Sequence, residues 1–261
     1  RLLYAVTNRI CQRFSSMYSI AIYLYMFCVN IAAILNRKAR LIKAGHCKTY
    51  KILRNGIKEG EEYLWFHAAS LGEFEQGRPL IEKIRKQNPQ YRILLTFFSP
   101  SGYEVRKDYK EADVCCYLPF DTMLNAKKFI RIAKPKMAFF IKYEFWQNYI
   151  TELHRHNIPT YSVASIFRPN QIFFRWYGHK YRNVLKCFTH LFVQNQQSVN
   201  LLKRLDIDCA TVVGDTRMDR VLQIRQTAKS LPLGEAFCQE VSANSHIIVA
   251  GSSWQPDEDI L

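Results

Sequence analysis

From Tyr63 onward the chain alternates short apolar runs with longer amphipathic ones, and this alternation narrows the fold more than any other feature. The runs Tyr63–Ala68, Arg92–Phe98, Asp113–Leu118, Met137–Lys142, Thr160–Ala164, His190–Val193 and Thr211–Val213 read as strands. Between them, Phe74–Lys86, Met123–Ile132, Trp146–His156, Phe173–Lys186, Gln197–Leu205 and Met218–Lys229 read as helices. Continuous apolar strands belong to a sheet covered on both faces. Repeated β-α units give parallel strands with right-handed crossovers. The expected class is α/β, with a Rossmann-like parallel sheet. After the linker- or helix-like SLPLGEAFCQEVSANS, the run His246–Ala250 and then Gly251-Ser252-Ser253 read as the first buried strand of a second Rossmann-like domain, cut off soon after it starts. The chain opens on Arg1 and closes at Leu261, so it reads as part of a longer protein, divided at 1–45, 46–229 and 230–261.

Ligands of an open α/β sheet gather at the carboxyl ends of its strands. The first strand leaves through WFHAASLGEFEQGRP, where Glu73 opens a helix after a small-residue turn. An acid there has two readings: a first-turn residue that complements the helix dipole, or a general base at the mouth of a cleft. Other strand ends add Ser99-Pro100-Ser101-Gly102, Asp121, Glu144 and Asp215-Thr216-Arg217. Glu144 closes a buried strand, which is costly unless it is paired. Arg217 near a helix start opposes the dipole, and an anionic ligand would relieve it.

Charge is unevenly distributed. The formal total is +15; residues 1–60 and 125–190 each carry +10, whereas 61–124 carry −2 and 191–261 carry −3. Basic blocks fit nucleic acid, an anionic membrane or a phosphorylated substrate, or are simply solvated faces. Met17–Leu35 holds no charge and is followed by Arg37, Lys38, Arg40 and Lys43. A run of that length fits a membrane span or an interfacial helix, with the body of the protein on the positive, cytoplasmic side. Eight cysteines form no C-x-x-C, so neither a zinc site nor a disulfide scaffold is expected. There is no G-x-x-x-x-G-K-[ST], G-x-G-x-x-G or G-x-S-x-G, which removes the main support for P-loop, dinucleotide and α/β-hydrolase readings.

Seven stretches, in order, resemble the bacterial 3-deoxy-D-manno-octulosonic acid (Kdo) transferase family. They are HAASLGE (67–73), TFFSPSGYE (96–104), YLPFD (117–121), KPKMAFFIKYEFWQN (134–148), VQNQQS (193–198), VVGDTRMD (212–219) and AGSSWQPDED (250–259). The resemblance implies a GT-B fold, two Rossmann-like domains across a cleft, and inverting, metal-independent transfer of Kdo from CMP-Kdo to the lipid A precursor. It implies that Glu73 is the proton acceptor, that Arg217, usually Lys in the family, stabilises transition-state charge, and that Glu144 is the retained glutamate of a Glu-x-Glu-Leu-Trp block. Ser70, Gly72, Ser99, Ser101 and Gly102 become the acceptor-binding set, with Arg168 a looser member, because SIFRPNQ departs from the family's Asn-Ala-Arg-Leu-Ser. Lys142 stands where the family has the block's first Glu. No cofactor or metal is expected. The expected partners are the lipid A precursor, CMP-Kdo and an anionic membrane surface, not nucleic acid, at the cytoplasmic face of the bacterial inner membrane. The family's CMP-binding residues lie beyond Leu261, so the fragment itself is expected to be inactive. Two other readings remain: a GT-B transferase with another donor sugar, and a non-catalytic lipid-binding Rossmann-like module.

Overall fold

The computed structural model describes residues 18–178, 181–227, 232–240 and 248–261. Two compact units are present, one running through Val221 and the other spanning Leu222–Leu261. The first unit is built on seven parallel strands: β1 (Tyr63–Ala68), β2 (Arg92–Phe97), β3 (Val114–Tyr117), β4 (Met137–Ile141), β5 (Thr160–Ser165), β6 (His190–Val193) and β7 (Ala210–Val212). Their order in the sheet is β3-β2-β1-β4-β5-β6-β7. All seven expected strands are therefore present, with ends within two residues of the sequence reading.

Two periodicities explain the layers. Every residue of β1 is buried, and successive side chains go to opposite faces. Tyr63 and Trp65 join one core, with Leu53, Phe129, Tyr149 and Leu202 from α2 (Arg37–Gly56), α5 (Met123–Ala133), α6 (Gln147–Arg155) and α8 (Gln196–Lys203). Leu64, Phe66 and Ala68 join the other, with Phe74 and Ile81 of α3 (Leu71–Gln87). The short helix α4 (Pro100–Arg106) contacts α3, β2 and β3. Ser99–Gly102, expected after the second strand, do follow β2, and they start a helix that Ser99 caps with Pro100 in its first turn. Gly102 sits where an added Cβ would come within 2.3 Å of the Phe97 ring, so α4 lies close on the sheet.

The chain winds β1-α3-β2-α4-β3 to one side and then returns through α5 to β4 on the other side of β1. The order therefore reverses between β1 and β4, and the crevice of such a sheet opens at the carboxyl ends of those two strands.

Three expectations are corrected. The Phe173–Lys186 run is not one helix. It forms 3-10 turns at Ile172–Phe174 and Trp176–Gly178, and later α7 (Arg182–Leu185). A Cβ on Gly178 would lie 1.6 Å from the Ile172 carbonyl oxygen, and Arg182 Nε donates to the Phe173 carbonyl at 2.6 Å, so tertiary contacts replace the helical ladder. The His246–Ala250 strand lies partly outside the described residues, and Ile248–Ala250 belong to no strand and are exposed. The Met17–Leu35 run, whose first residue lies outside the described residues, is not one long helix. Helix α1 (Tyr18–Ala32) stops, and α2 leaves at 119° after Asn36 caps it by accepting from the Lys38 and Ala39 amides. Among the described residues no single helix is long and apolar enough to cross a membrane; α1 and α2 pass that test only together, as a bent pair.

The second unit carries the end of α9 (Thr216–Thr227), then α10 (Pro232–Glu240) and the short α11 (Gln255–Glu258).

Candidate functional site

At the end of β1 the chain turns through Ala69 and enters α3 at Ser70. Glu73 is the third residue of that helix, and its carboxylate reaches back to accept from the Ser70 amide (2.9 Å) and the Ser70 hydroxyl (3.3 Å). Up to this point Glu73 behaves as an ordinary capping acid. Its surroundings differ from those of ordinary caps: burial holds its carboxyl above the usual carboxylate range, and the negative charge of Glu144 adds to the rise. His67, the Ser70 amide and Lys142 oppose that shift without reversing it.

Glu144 follows β4, next to β1 in the sheet. Trp146 Nε1 donates to its Oε2, and His67 Nε2 lies 3.3 Å from the same oxygen. This pairing answers the cost expected for an acid at the end of a buried strand. Lys142 and Ala164, at the ends of neighbouring strands, both take left-handed backbone (φ 66° and 58°). The Lys142 amide donates to the Val163 carbonyl at 2.7 Å, and the Ser165 hydroxyl donates to the Lys142 carbonyl at 2.6 Å. Such conformations cost about 1–3 kcal/mol each and persist where the surroundings over-determine them.

Asp121, fully buried, accepts from Tyr18 Oη (2.7 Å) and from the Asn148 and Tyr149 amides (3.0 and 3.1 Å). Burial pushes its carboxyl up to about 6 against those donors. It therefore joins α1 to the first turn of α6, just after the loop that carries Glu144 and Trp146. A pocket of about 320 Å³ opens beside this loop, lined by Tyr18, Ile22 and Tyr25 of α1 with Ala69, Phe98, Phe120 and residues 143–146.

The other expected residues fall into three groups. Ser70 touches Glu73, and Gly72 is exposed with open space above it. Ser99 and Ser101 bond each other at 3.0 Å at the start of α4, whereas Gly102 is buried under Phe97. Arg168 is exposed on the loop after β5, where its amide donates to Gln171. Arg217 opens α9 but is 64% exposed, and Asp215 grips it through Nε (2.8 Å) and its amide (3.0 Å). Neither glutamate of the crevice holds it. Among the described residues no group of three His, Cys, Asp or Glu side chains is placed to hold a metal ion. Sequence reasoning passed over His67. The signal was available only in the register, which sets His67 opposite Thr96 of β2 and Phe140 of β4.

A half-buried acid, raised by its surroundings and by a second acid at the switch point of a parallel sheet, is suited to proton abstraction from a hydroxyl. Comparison with known proteins supplies the family. Residues 40–220 match a family model described as 3-Deoxy-D-manno-octulosonic-acid transferase (kdotransferase). The chain is 31% identical over 116 residues to the 3-deoxy-D-manno-octulosonic acid transferase of Aquifex aeolicus, covering 43% of this chain and 32% of that protein. It is 26% identical over 204 residues to the Rickettsia felis protein of the same name, covering 76% and 42%. The chain thus spans less than half the length of these relatives. Among solved structures, UDP-GlcNAc 2-epimerase from Neisseria meningitidis bound to UDP-GlcNAc superposes with a TM-score of 0.53 at 15% identity, covering 70% of this chain and 56% of that one. At that identity the likeness concerns the fold alone, and it is the fold of GT-B-type enzymes.

Proposed function

The chain belongs to the 3-deoxy-D-manno-octulosonic-acid transferase family, and on that premise we propose that it is the acceptor-side part of a glycosyltransferase that moves Kdo from CMP-Kdo to the lipid A precursor. One observation carries the reading: Glu73 is held in the crevice by its own helix start, with its carboxyl raised by burial and by Glu144. The acceptor hydroxyl gives its proton to Glu73 as its oxygen bonds to the anomeric carbon of Kdo. The bond from that carbon to the CMP phosphate breaks on the opposite face, which inverts the centre. Arg217, released from Asp215, faces the negative charge of the departing phosphate. Ser70, Gly72, Ser99, Ser101 and Arg168 border the acceptor's path, and no metal or cofactor takes part.

The acceptor is an anionic lipid, and the N-terminal helices suit one. Ile20, Leu24, Phe27, Ile31, Ile34 and Leu35 are exposed, Leu35 by 92%. Arg37, Lys38, Arg40 and Lys43 follow at the start of α2, with no acid in its first turn. An apolar face beside a basic one lies in a membrane interface and favours anionic lipid at about 1 kcal/mol per cation. The pocket beside Glu144 opens next to α1, so the same helix that meets the lipid walls the site. These features support a location at the cytoplasmic face of the inner membrane.

The experiment is Glu73→Gln in the full-length protein, assayed for Kdo transfer to lipid A precursor. A general base contributes about 10²–10⁴-fold. A drop of that size in kcat supports the assignment, and near-normal kcat removes Glu73 from the role.

A further inference from the structure

His67 sits in the middle of the crevice floor, with none of its surface exposed. Its ring meets Phe140 and Trp146 edge-on, at 5.8 and 5.4 Å between centroids. A buried imidazole ordinarily has both nitrogens satisfied. Here Nδ1 lies 2.9 Å from Thr96 Oγ1, whereas Nε2 makes no hydrogen bond and faces Glu144 Oε2 at 3.3 Å, too poorly aligned for one.

We propose that His67 is a positioning residue for Glu144: Thr96 turns its imidazole so that an Nε2–H faces Glu144 Oε2 and holds that side chain beside Glu73.

The protons around Thr96 can be counted. Its Oγ1 has one proton and two lone pairs. Trp65 Nε1 donates to one lone pair at 2.8 Å. In the first setting the Thr96 proton goes to His67 Nδ1, and the neutral ring then carries its own proton on Nε2. In the second the Thr96 proton goes to the Phe66 carbonyl at 3.3 Å, Nδ1–H donates to the remaining lone pair, and a proton on Nε2 makes the ring an imidazolium. The remaining arrangement, a bare Nε2, is repulsive against a carboxylate oxygen and needs the proton between the two groups to sit on Glu144 instead. With Glu144 a carboxylate, both other settings put a proton on Nε2; they differ by one ring proton and a turn of the Thr96 hydroxyl, with no heavy atom moved.

The consequence falls on Glu73. Glu144 Oε2 takes the Trp146 N–H and faces the His67 N–H, and these two groups fix where that side chain sits relative to Glu73. The Glu144 charge, after burial, is what raises Glu73. The other charges in reach are Lys142 at the end of β4, which lowers Glu73, and Asp121, which faces His67 from the loop after β3. The Asp215–Arg217 pair is internally neutral.

The kinetic part rests on Glu73 being the base, whereas the proton count does not. The first test is therefore nitrogen-15 NMR of His67 in the full-length wild-type protein, which reads the tautomer without any activity. Protonated Nε2 is expected; an Nδ1–H tautomer with bare Nε2 would overturn the proposal. The second test is kcat read against the acceptor KM. In His67→Phe, Glu144 loses the group that faces its Oε2, so kcat should fall about tenfold, the cost of a misplaced group, with acceptor KM unchanged. His67→Gln returns an N–H near the Nε2 position and should restore kcat. A His67→Phe variant with wild-type kcat, or one whose loss His67→Gln does not restore, overturns the positioning role. If Glu73→Gln retains activity while Nε2 is protonated, the base assignment fails and the proton count stands.

Discussion

Two helices start at the same edge of the same sheet with a charged residue in the first turn, and they reach opposite states. At the start of α3, Glu73 is drawn inward, satisfied by Ser70 and destabilised by Glu144. At the start of α9, Arg217 stands in solvent and is neutralised by a residue two positions away. The sheet explains the difference. β1 is central and lies at the point where strand order reverses, so groups from β2, β4 and the loop after β3 converge on the turn and helix start at its carboxyl end. β7 is an edge strand with one neighbour, and little converges there. The location of a helix start within the sheet, more than its own sequence, decides whether its first-turn charge is perturbed.

The largest expected effect that bears on this contrast is at Glu73. Besides the kinetic loss, Glu73→Gln should stabilise the protein near neutral pH. A carboxyl whose folded value is raised costs nothing while both states are protonated, and its cost appears as pH climbs past the ordinary carboxylate value. Thermal denaturation of wild type and variant should therefore coincide at acid pH and separate, variant higher, toward pH 7. A variant no more stable at pH 7 would mean the carboxyl is unperturbed, and the contrast with Arg217 would collapse.

Next in size is Gly102, expected in the acceptor-binding set and found packed under Phe97. Gly102→Ala drives a methyl into the Phe97 ring. Overpacking of this kind costs about 1–3 kcal/mol. The loss should appear in denaturant midpoint, with the acceptor KM unchanged once folded protein is counted. A raised KM at full stability would return the residue to the site.

A subtler effect separates the two glutamates. Glu144→Gln removes a charge that raises Glu73, so the acidic limb of the pH–kcat profile should shift toward lower pH. A limb that stays in place would assign the whole perturbation to burial.

The sequence made the sheet and its ligand edge legible because strands buried on both faces are written as unbroken apolar runs. It made Glu73, Glu144 and Asp121 conspicuous because each comes soon after such a run. His67 was hidden for the reason that makes it interesting: its partners are Thr96 and Glu144, distant in sequence and joined to it only by register and strand order. The break at residues 172–185 was hidden likewise, since helical periodicity persists there and only the contacts of Gly178 and Arg182 override it. The packing of Gly102 was hidden too, because a glycine under a ring and a glycine beside a ligand look the same in one dimension.

The smallest expected effect tests the other side of the contrast. The Asp215 carboxyl is held below its usual value mainly by its hydrogen bond to Arg217, but the pair is solvent-facing, and exposed pairs contribute little to stability. Asp215→Asn should leave the thermal midpoint within error of wild type. On the role proposed for Arg217, its effect should be functional, because it frees the guanidinium from its partner. Arg217→Ala should lower kcat with little change in acceptor KM, whereas Asp215→Asn should not lower kcat at all. If Asp215→Asn slows transfer as much as Arg217→Ala does, the pair works as one positioned unit, and the edge of the sheet is as organised as its centre.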